Sequence, residues 1–165
     1  MVNVILDQSI GSKLLQTVLQ AKNSTDELDV TTEDDLLFCP NRNTVGHINF
    51  YPKHIFRDVG FIFDWFPNLK SFRTHGLLPS TIFTNTVLKR CLFFDCSMSS
   101  ITILPRLPMI QQLLCYRCNI TQLPRLDHCS MLDCRDNEVT IPDLPLIRTL
   151  YYSTKKPNTV RVQLV

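Results

Sequence analysis

One spacing of apolar residues recurs along the second half of the chain and limits the folds that the chain can adopt. Residues 110–124 fit the frame L-x-x-L-x-L-x-x-N/C-x-L-x-x-L-P at every fixed place. Less regular copies flank this segment, and neighbouring copies start 18 to 22 residues apart. In chain order the five copies start at Leu69, Leu88, Ile110, Cys129 and Ile147. Repeats of this length are typical of solenoids, because a single unit cannot bury its apolar face and must stack on its neighbours.

Each unit predicts a short strand, a corner and an extended return. Alternate residues of a strand point to opposite faces, so the L-x-L places put their apolar side chains on one side of a sheet. The Asn or Cys place turns the chain away from the strand, and its side chain is expected to hydrogen-bond to neighbouring backbone. Proline after the last leucine place favours extended backbone and recurs at Pro105, Pro124 and Pro142. Stacked units are therefore expected to pair their strands in parallel, about 4.8 Å apart.

The best-fitting stretch resembles a known class of repeat. The run from Leu104 to Leu113, followed by Cys118 and by Leu123-Pro124, resembles the short leucine-rich repeats of bacterial effector proteins. The irregular units that contain cysteine also resemble those of large DNA viruses. The resemblance implies an α/β repeat solenoid with a curved parallel sheet and a protein that binds other proteins. The sequence has no counterpart of the ligase domain of the bacterial effectors, so their enzymatic activity is not expected.

The chain is predicted to have three parts. Residues 67–156 form a leucine-rich-repeat solenoid of about five units. Residues 1–66 hold an N-terminal helix, an acidic segment and a cap, and residues 157–165 form a tail or a capping strand. Within the first part, residues 9–22 carry apolar side chains at helical spacing, and residues 47–50 alternate as a short strand does.

Charge is distributed unevenly along the chain. Residues 1–35 hold two lysines and seven acids, a net charge of −5, whereas residues 36–165 hold 15 basic and 8 acidic residues, a net charge of +7. The acidic segment either packs on its own basic body or meets an oppositely charged partner. The total of +2 is too small to indicate nucleic acid binding.

Several classes of protein are not expected from this sequence. No apolar run approaches the roughly 20 residues that a membrane helix needs. The N-terminus has no secretory signal pattern, and with seven cysteines the chain is expected to be intracellular and reduced, or associated with a virion that assembles in the cytosol. The four glycines form no G-x-G pattern, so no phosphate-binding loop is predicted. We expect no enzyme activity, no cofactor and no small-molecule substrate.

The cysteines allow two interpretations. Cys115-x-x-Cys118 with His128, Cys129 and Cys134 could be a zinc site. The repeat frame favours buried thiols without metal, because every cysteine except Cys39 takes an inward place and a free cysteine behaves as a small hydrophobe. A nucleophilic cysteine is also disfavoured, since Cys129 is expected to point inward and His128 away from it.

The places between the fixed apolar positions are predicted to line the concave face of the array and to bind a partner. Their middle column contains two leucines and a tyrosine, and the next column contains Phe94 and Tyr116, which gives an exposed apolar patch with arginines at its rim. The predicted partner-binding residues are Arg73, His75, Leu92, Phe94, Leu114, Tyr116, Arg117, Asp133, Arg135, Arg148 and Tyr151. A local shift of the frame would place some of them in the core. Packing of the patch on the acidic N-terminal segment is a second alternative.

Two functions remain open at this point. The first is a non-catalytic adaptor that grips one protein partner on its concave face. The second is a structural component of a larger assembly, such as a minor capsid-associated protein of a large virus particle. The resemblance to the viral repeats favours the second function, and the aromatic patch is compatible with both.

Overall fold

The computed structural model describes five stretches of the chain, which are residues 26–53, 60–76, 78–79, 82–153 and 160–164. The helix predicted at 9–22 lies outside these residues. The described residues form one eight-stranded sheet in which the strands follow each other in chain order. The strands are β1 (Glu27–Val30), β2 (His47–Phe50), β3 (Ser71–Thr74), β4 (Phe93–Asp95), β5 (Gln112–Leu114), β6 (Met131–Asp133), β7 (Thr149–Ser153) and β8 (Val160–Leu164).

The sheet is the ladder of a parallel β-solenoid of about six turns. Strands β1 to β7 pair in parallel, and partner residues in neighbouring strands lie 20, 24, 22, 19, 19 and 18 positions apart in the sequence. Strand β8 pairs antiparallel with β7 and forms the last strand of the sheet. The repeat solenoid is therefore confirmed, and β8 lies within residues 157–165, which were predicted to form a tail or a capping strand.

The array begins earlier than predicted. Strands β1 and β2 lie within residues 1–66, which were expected to form a helix, an acidic segment and a cap, yet they continue the parallel ladder in register. The strand expected at residues 47–50 is confirmed. The sequence does not predict its neighbour β1, because the acidic residues Glu27 and Asp29 fill its outward places and only Leu28 and Val30 face inward.

Helices contribute little to the described residues. They contain the α-helix α1 (Glu33–Leu37) and a 3-10 helix at Gly60–Trp65. The Asp35 carboxylate accepts hydrogen bonds from the backbone N–H groups of Thr31 and Thr32, each at 2.9 Å, and so caps α1. Among the described residues no helix is long and apolar enough to cross a membrane.

At least one apolar residue of each parallel strand points into the core, and seven of these residues form a continuous column. These inward residues are in register along the ladder and are all buried: Leu28, Ile48, Phe72, Phe94, Leu113, Leu132 and Leu150. Around β3 and β4 the core is aromatic, and Phe94 lies 5.2 Å from Phe72 and 5.3 Å from Phe83 between ring centroids. Around β5 and β6 the core is built instead from leucine, isoleucine and cysteine.

The frame of the unit that contains β4 was placed three residues too early. Its first apolar place is Cys91 and not Leu88, because Phe94 pairs with Leu113 in the ladder. The prediction that Phe94 is an exposed partner-binding residue is therefore wrong. Its ring is fully buried, and Phe93 takes an outward place in its stead. Two adjacent phenylalanines satisfy either frame by hydrophobicity alone, and packing against Phe72 decides between them.

Candidate protein-binding face

Residues that take outward places in the strands and just after them form three columns, which together we call the outer face. The first column contains Glu27, His47, Ser71, Phe93, Gln112, Met131 and Thr149. The middle column contains Asp29, Asn49, Arg73, Asp95, Leu114, Asp133 and Tyr151. The third column lies two residues after the middle one, at Tyr51, His75, Ser97, Tyr116, Arg135 and Ser153.

An arginine and two tyrosines form a connected group on the outer face. The Arg135 Cζ atom lies 5.6 Å from the centroid of the Tyr116 ring and 5.3 Å from that of Tyr151. Its Nε and Nη2 atoms donate to the two carboxylate oxygens of Asp133 at 2.9 and 2.6 Å. The hydrogen bonds with Asp133 raise the pKa of Arg135, so the guanidinium stays charged. We call Tyr116, Asp133, Arg135 and Tyr151 the tyrosine–arginine cluster.

The register of neighbouring strands brings the residues of this cluster together. Leu114, Asp133 and Tyr151 are partners in register on β5, β6 and β7. Arg135 lies two residues after Asp133, so both side chains point to the same side of an extended chain. The Asp133 carboxylate also accepts the backbone N–H of Arg135 at 3.3 Å. A buried carboxylate thus fixes the arginine that stands between two aromatic rings.

Methionine and arginine side chains form a rim beyond the third column. Met98, Arg117 and Asp136 take the same place in successive units, and their φ angles are 59, 56 and 53°. The Tyr116 hydroxyl donates to Met98 Sδ at 2.7 Å, and Met98 is 56% exposed. The Arg117 Nε atom lies 3.4 Å from a carboxylate oxygen of Asp136, and both side chains are exposed, so this pair contributes about 0–1 kcal/mol to stability.

A second arginine pair lies toward the other end of the face. Arg73 Nε is 3.8 Å from the buried Asp95 carboxylate, and Arg73 Cζ lies 5.2 Å from the centroid of the Phe93 ring. Asp95 also accepts the backbone N–H of Ser97 at 3.0 Å. The sequence does carry the signal that places Asp95, Phe93 and Ser97 on this face. The dipeptide Asp95-Cys96 repeats as Asp133-Cys134, and aligning the two gives the correct frame.

The predicted partner-binding residues separate into five groups. Leu114 and the tyrosine–arginine cluster lie together on β5 to β7, whereas Arg73 and His75 lie on the outer face at β3. Arg117 belongs to the rim. Arg148 and Leu92 each precede a strand, and Leu92 is half-buried, so neither joins the three columns. Phe94 lies in the core.

The side chain at the Asn or Cys position, at the corner after the strand, hydrogen-bonds to backbone as predicted. The Asn137 amide nitrogen donates to Cys115 O at 2.7 Å and to Arg135 O at 3.1 Å, and its amide oxygen accepts from Ile120 N at 2.9 Å and Cys118 N at 3.2 Å. In the preceding unit Cys118 Sγ lies 2.9 Å from Cys96 O. These bonds satisfy backbone groups that the corner would otherwise leave unpaired inside the solenoid.

The cysteines are unpaired and buried. Burial raises the pKa of Cys91 and of Cys134 to about 12, which keeps both thiols protonated. His128 is exposed and Cys129 is buried, as the repeat frame predicts. Within the described part of the chain no group of three or more histidine, cysteine or acidic residues is arranged to hold a metal ion.

Comparison of the chain with protein-family models, with curated proteins and with solved structures gives no match.

Proposed function

We propose that this chain is a non-catalytic leucine-rich-repeat module that binds a protein partner through its outer face, which is the concave face in arrays of that family. The tyrosine–arginine cluster carries the proposal. Tyrosine and arginine are enriched among the residues that dominate binding energy at protein interfaces. Here Asp133 and the two rings hold Arg135 in one place before a partner arrives, which reduces the conformational entropy lost on binding.

The assignment to leucine-rich repeats rests on the corner and on the spacing. Asn137 bonds to the backbone of both its own unit and the preceding one, which is the role that the Asn place of the frame requires. Ladder intervals of 18 to 24 residues fit short repeats of this kind. We include the α/β character of the array in this proposal. The unpaired cysteines favour a reducing, intracellular location.

The test is affinity capture of partners from the native source, followed by mass spectrometry. The test variant is Tyr116→Ala combined with Tyr151→Ala, which removes both rings from Arg135. The matched control is Met109→Ala combined with Leu146→Ala, because these side chains are 45% and 54% exposed at turns away from the outer face. We expect the control to recover the same partners as the natural chain and the test variant to lose them.

Two other outcomes are informative. If the test variant recovers the same partners as the control, binding through the outer face is contradicted. Recovery of coat or scaffold proteins of a virus particle, lost in the test variant, would mean that the outer face serves the assembly of that particle rather than a free adaptor.

A further inference from the structure

Basic side chains gather where the chain enters β3, β4 and β5. Lys70 directly precedes β3, Lys89 and Arg90 lie in the turn before β4, and Arg106 lies in the connection that leads to β5. All four side chains are exposed, and we call them the basic patch. Because successive turns of the solenoid stack on each other, the basic patch lies along one edge of the sheet.

Contacts between successive turns bring the residues of the basic patch together. The Arg90 Nη1 atom donates to Asn68 Oδ1 at 2.5 Å, two residues before Lys70. The Lys70 carbonyl accepts a backbone N–H group two residues after Arg90 at 2.7 Å. The Arg106 carbonyl accepts the backbone N–H of Leu88, one residue before Lys89, at 3.0 Å. The patch therefore extends over three turns, or about 10 Å along the solenoid.

Acidic side chains of the described residues do not neutralise the basic patch. None of the salt bridges between described residues involves its members. From residue 60 to residue 111 the sequence holds five basic residues and two acids, Asp64 and Asp95, a net charge of +3, and Asp95 is buried beside Arg73. An anionic group placed on the patch would be attracted by several exposed cations at once.

The basic patch adjoins the outer face. Lys70 directly precedes Ser71 of the first column, and Gln111 takes the equivalent place before β5. Gln111 lies five residues before Tyr116, at most about 17 Å away along an extended chain, and β3 and β5 are about 10 Å apart. Lys70 and Tyr116 are thus separated by about 20 Å, which roughly six extended residues can cover. One short segment of a partner can contact both the patch and the tyrosine–arginine cluster.

The charge of the first turns limits the length of the anion that can bind here. Residues 26–53 hold six acids and two basic residues, a net charge of −4. Glu27 and Asp29 of β1 are exposed and lie two strand intervals from β3, about 10 Å, which is close to the screening length of about 8 Å at physiological salt. A nucleic acid strand lying along the solenoid would meet these carboxylates, whereas a short acidic segment would not.

We infer that the partner of the outer face carries a short acidic segment, with two or more aspartate or glutamate residues, which lies on the basic patch while neighbouring apolar residues pack on Tyr116 and Tyr151. This inference rests on the proposed function and specifies the chemistry of the partner. Complementary charges at an interface speed association and exclude wrong partners more than they add affinity. The basic patch thus selects among the segments that the two tyrosines could hold.

A random peptide library displayed on phage tests the inference with the full-length chain as bait. The peptides have about 12 residues, twice the length that spans both surfaces. We expect the selected peptides to share two or more acidic residues beside apolar or aromatic ones. Their affinity should fall at least about fivefold between roughly 50 and 500 mM salt, because screening weakens charged contacts. A common motif without acidic residues, an affinity that salt does not change, or the absence of any selected peptide would overturn the inference.

A single-stranded oligonucleotide is the competing probe. We expect it to bind more weakly than the selected peptides at the same salt concentration, because the acidic first turns repel it. Tighter binding of the oligonucleotide would contradict the assignment of the basic patch to an acidic protein segment.

Reversal of one charge in the basic patch provides the residue-level test. We expect Lys89→Glu to weaken binding of the selected peptides by about fivefold or more, because it replaces an attraction by a repulsion. The matched control is Lys53→Glu, which changes the net charge equally at an exposed lysine outside the patch and should alter binding less than about twofold. Equal binding by the two lysine variants would contradict the role of the patch.

An exchange of charges shows whether Lys89 acts through its charge. Replacing one acidic residue of a selected peptide by lysine should weaken its binding to the natural chain and strengthen its binding to Lys89→Glu. A misfolded variant would gain nothing from this exchange. If no such replacement strengthens binding to Lys89→Glu, the acidic segment does not lie on the basic patch.

The tyrosine variant separates this inference from the proposed function. If Tyr116→Ala with Tyr151→Ala loses the selected peptides and Lys89→Glu keeps them, the outer face binds without the basic patch and this inference alone fails. If the tyrosine variant keeps them and Lys89→Glu loses them, the patch binds acidic segments and the proposed function fails. The control Met109→Ala with Leu146→Ala changes no charge and should bind them like the natural chain.

Discussion

The units that carry β4 and β5 lie side by side in the same sheet but fill the core in different ways. The β5 unit places Ile110, Leu113 and Cys115 in the core at the spacing of the repeat frame. The β4 unit uses Phe94, which packs on Phe72 and on Phe83, a ring supplied by the connection between β3 and β4. That interval is 22 residues in the ladder, against 19 for the next one.

The difference shows what sets the regularity of the repeats. Small aliphatic residues and thiols fill a narrow space between stacked turns, so each turn can reuse the same spacing. Aromatic rings occupy more volume and pack against several other rings. The longer connection between β3 and β4 supplies one of them, Phe83, to the core. Neighbouring units are therefore evenly spaced where the core is aliphatic and lie farther apart in the sequence where the core is aromatic.

Replacing each of the two neighbouring phenylalanines separately by alanine gives the largest expected difference in stability between two variants. We expect Phe94→Ala to lower the free energy of unfolding by about 3–5 kcal/mol, because it leaves a cavity among buried rings. Phe93→Ala should cost about 1 kcal/mol, since its ring is only half-buried on the outer face. Urea denaturation of both variants measures this. Similar losses for the two changes would mean that the β4 unit has no fixed frame.

The regular β5 unit gives the corresponding contrast between its inward and outward residues. Leu113→Ala should cost about 2–5 kcal/mol as a cavity in the core. Tyr116→Ala should cost much less stability and weaken partner binding, because its ring is half-exposed beside Arg135. Denaturation and affinity measurements on the same two proteins check this. Equal destabilisation would contradict the assignment of the outer face.

Replacing the residue at the Asn or Cys position compares how much this corner contributes to stability in two neighbouring regular units. Asn137→Ala removes a side chain that hydrogen-bonds to backbone in two units, and we expect a loss of about 2 kcal/mol. Cys118→Ala should cost about 1 kcal/mol, since a thiol is a weaker donor. Thermal unfolding of the two variants gives the comparison. A larger loss for Cys118→Ala would indicate that packing, and not bonding, holds the corner.

The smallest expected effect concerns the first turn of the solenoid and its pH dependence. Burial raises the pKa of the Asp35 carboxyl, but hydrogen bonds from Thr31 and Thr32 outweigh burial and leave the pKa below its usual value. A lowered pKa stabilises the fold above the unfolded-state value of about 3.9, and this contribution is lost as the pH falls through the folded-state value. Asp35→Asn should therefore be slightly less stable than the natural chain near pH 7, and the difference should be smaller near pH 2. A gap of the same size at both pH values would assign the loss to something other than the carboxylate charge.

The sequence predicts the solenoid because apolar spacing and stacking constrain each other. It also places Leu114, Tyr116, Asp133, Arg135 and Tyr151 on one face, because the frame is unambiguous from Ile110 onward. It misplaces Phe94 because two adjacent phenylalanines satisfy two frames equally, and the choice depends on contacts with rings that are distant in sequence. The sequence does not predict β1, because its outward places are acidic, and it predicts β2 as a strand but not as part of the array, because the first intervals are irregular.

The sequence does not predict that the Ser97 hydroxyl lies buried without a hydrogen-bond partner among the described residues. Whether a buried hydroxyl finds an acceptor depends on how neighbouring units bend at their corners, and residue spacing does not determine that. The pairing of Asp133 with Arg135 is closer to prediction, because residues two apart in a strand share one face.

The most direct test of binding through the outer face is a calorimetric titration of the captured partner against three purified proteins. These are the natural chain, Tyr116→Ala with Tyr151→Ala, and the control Met109→Ala with Leu146→Ala. Our account predicts that the tyrosine variant binds at least about 30-fold more weakly, since each lost anchor contributes about 1 kcal/mol or more, and that the control binds like the natural chain. Unchanged affinity in the tyrosine variant, or an equal loss in the control, would contradict it.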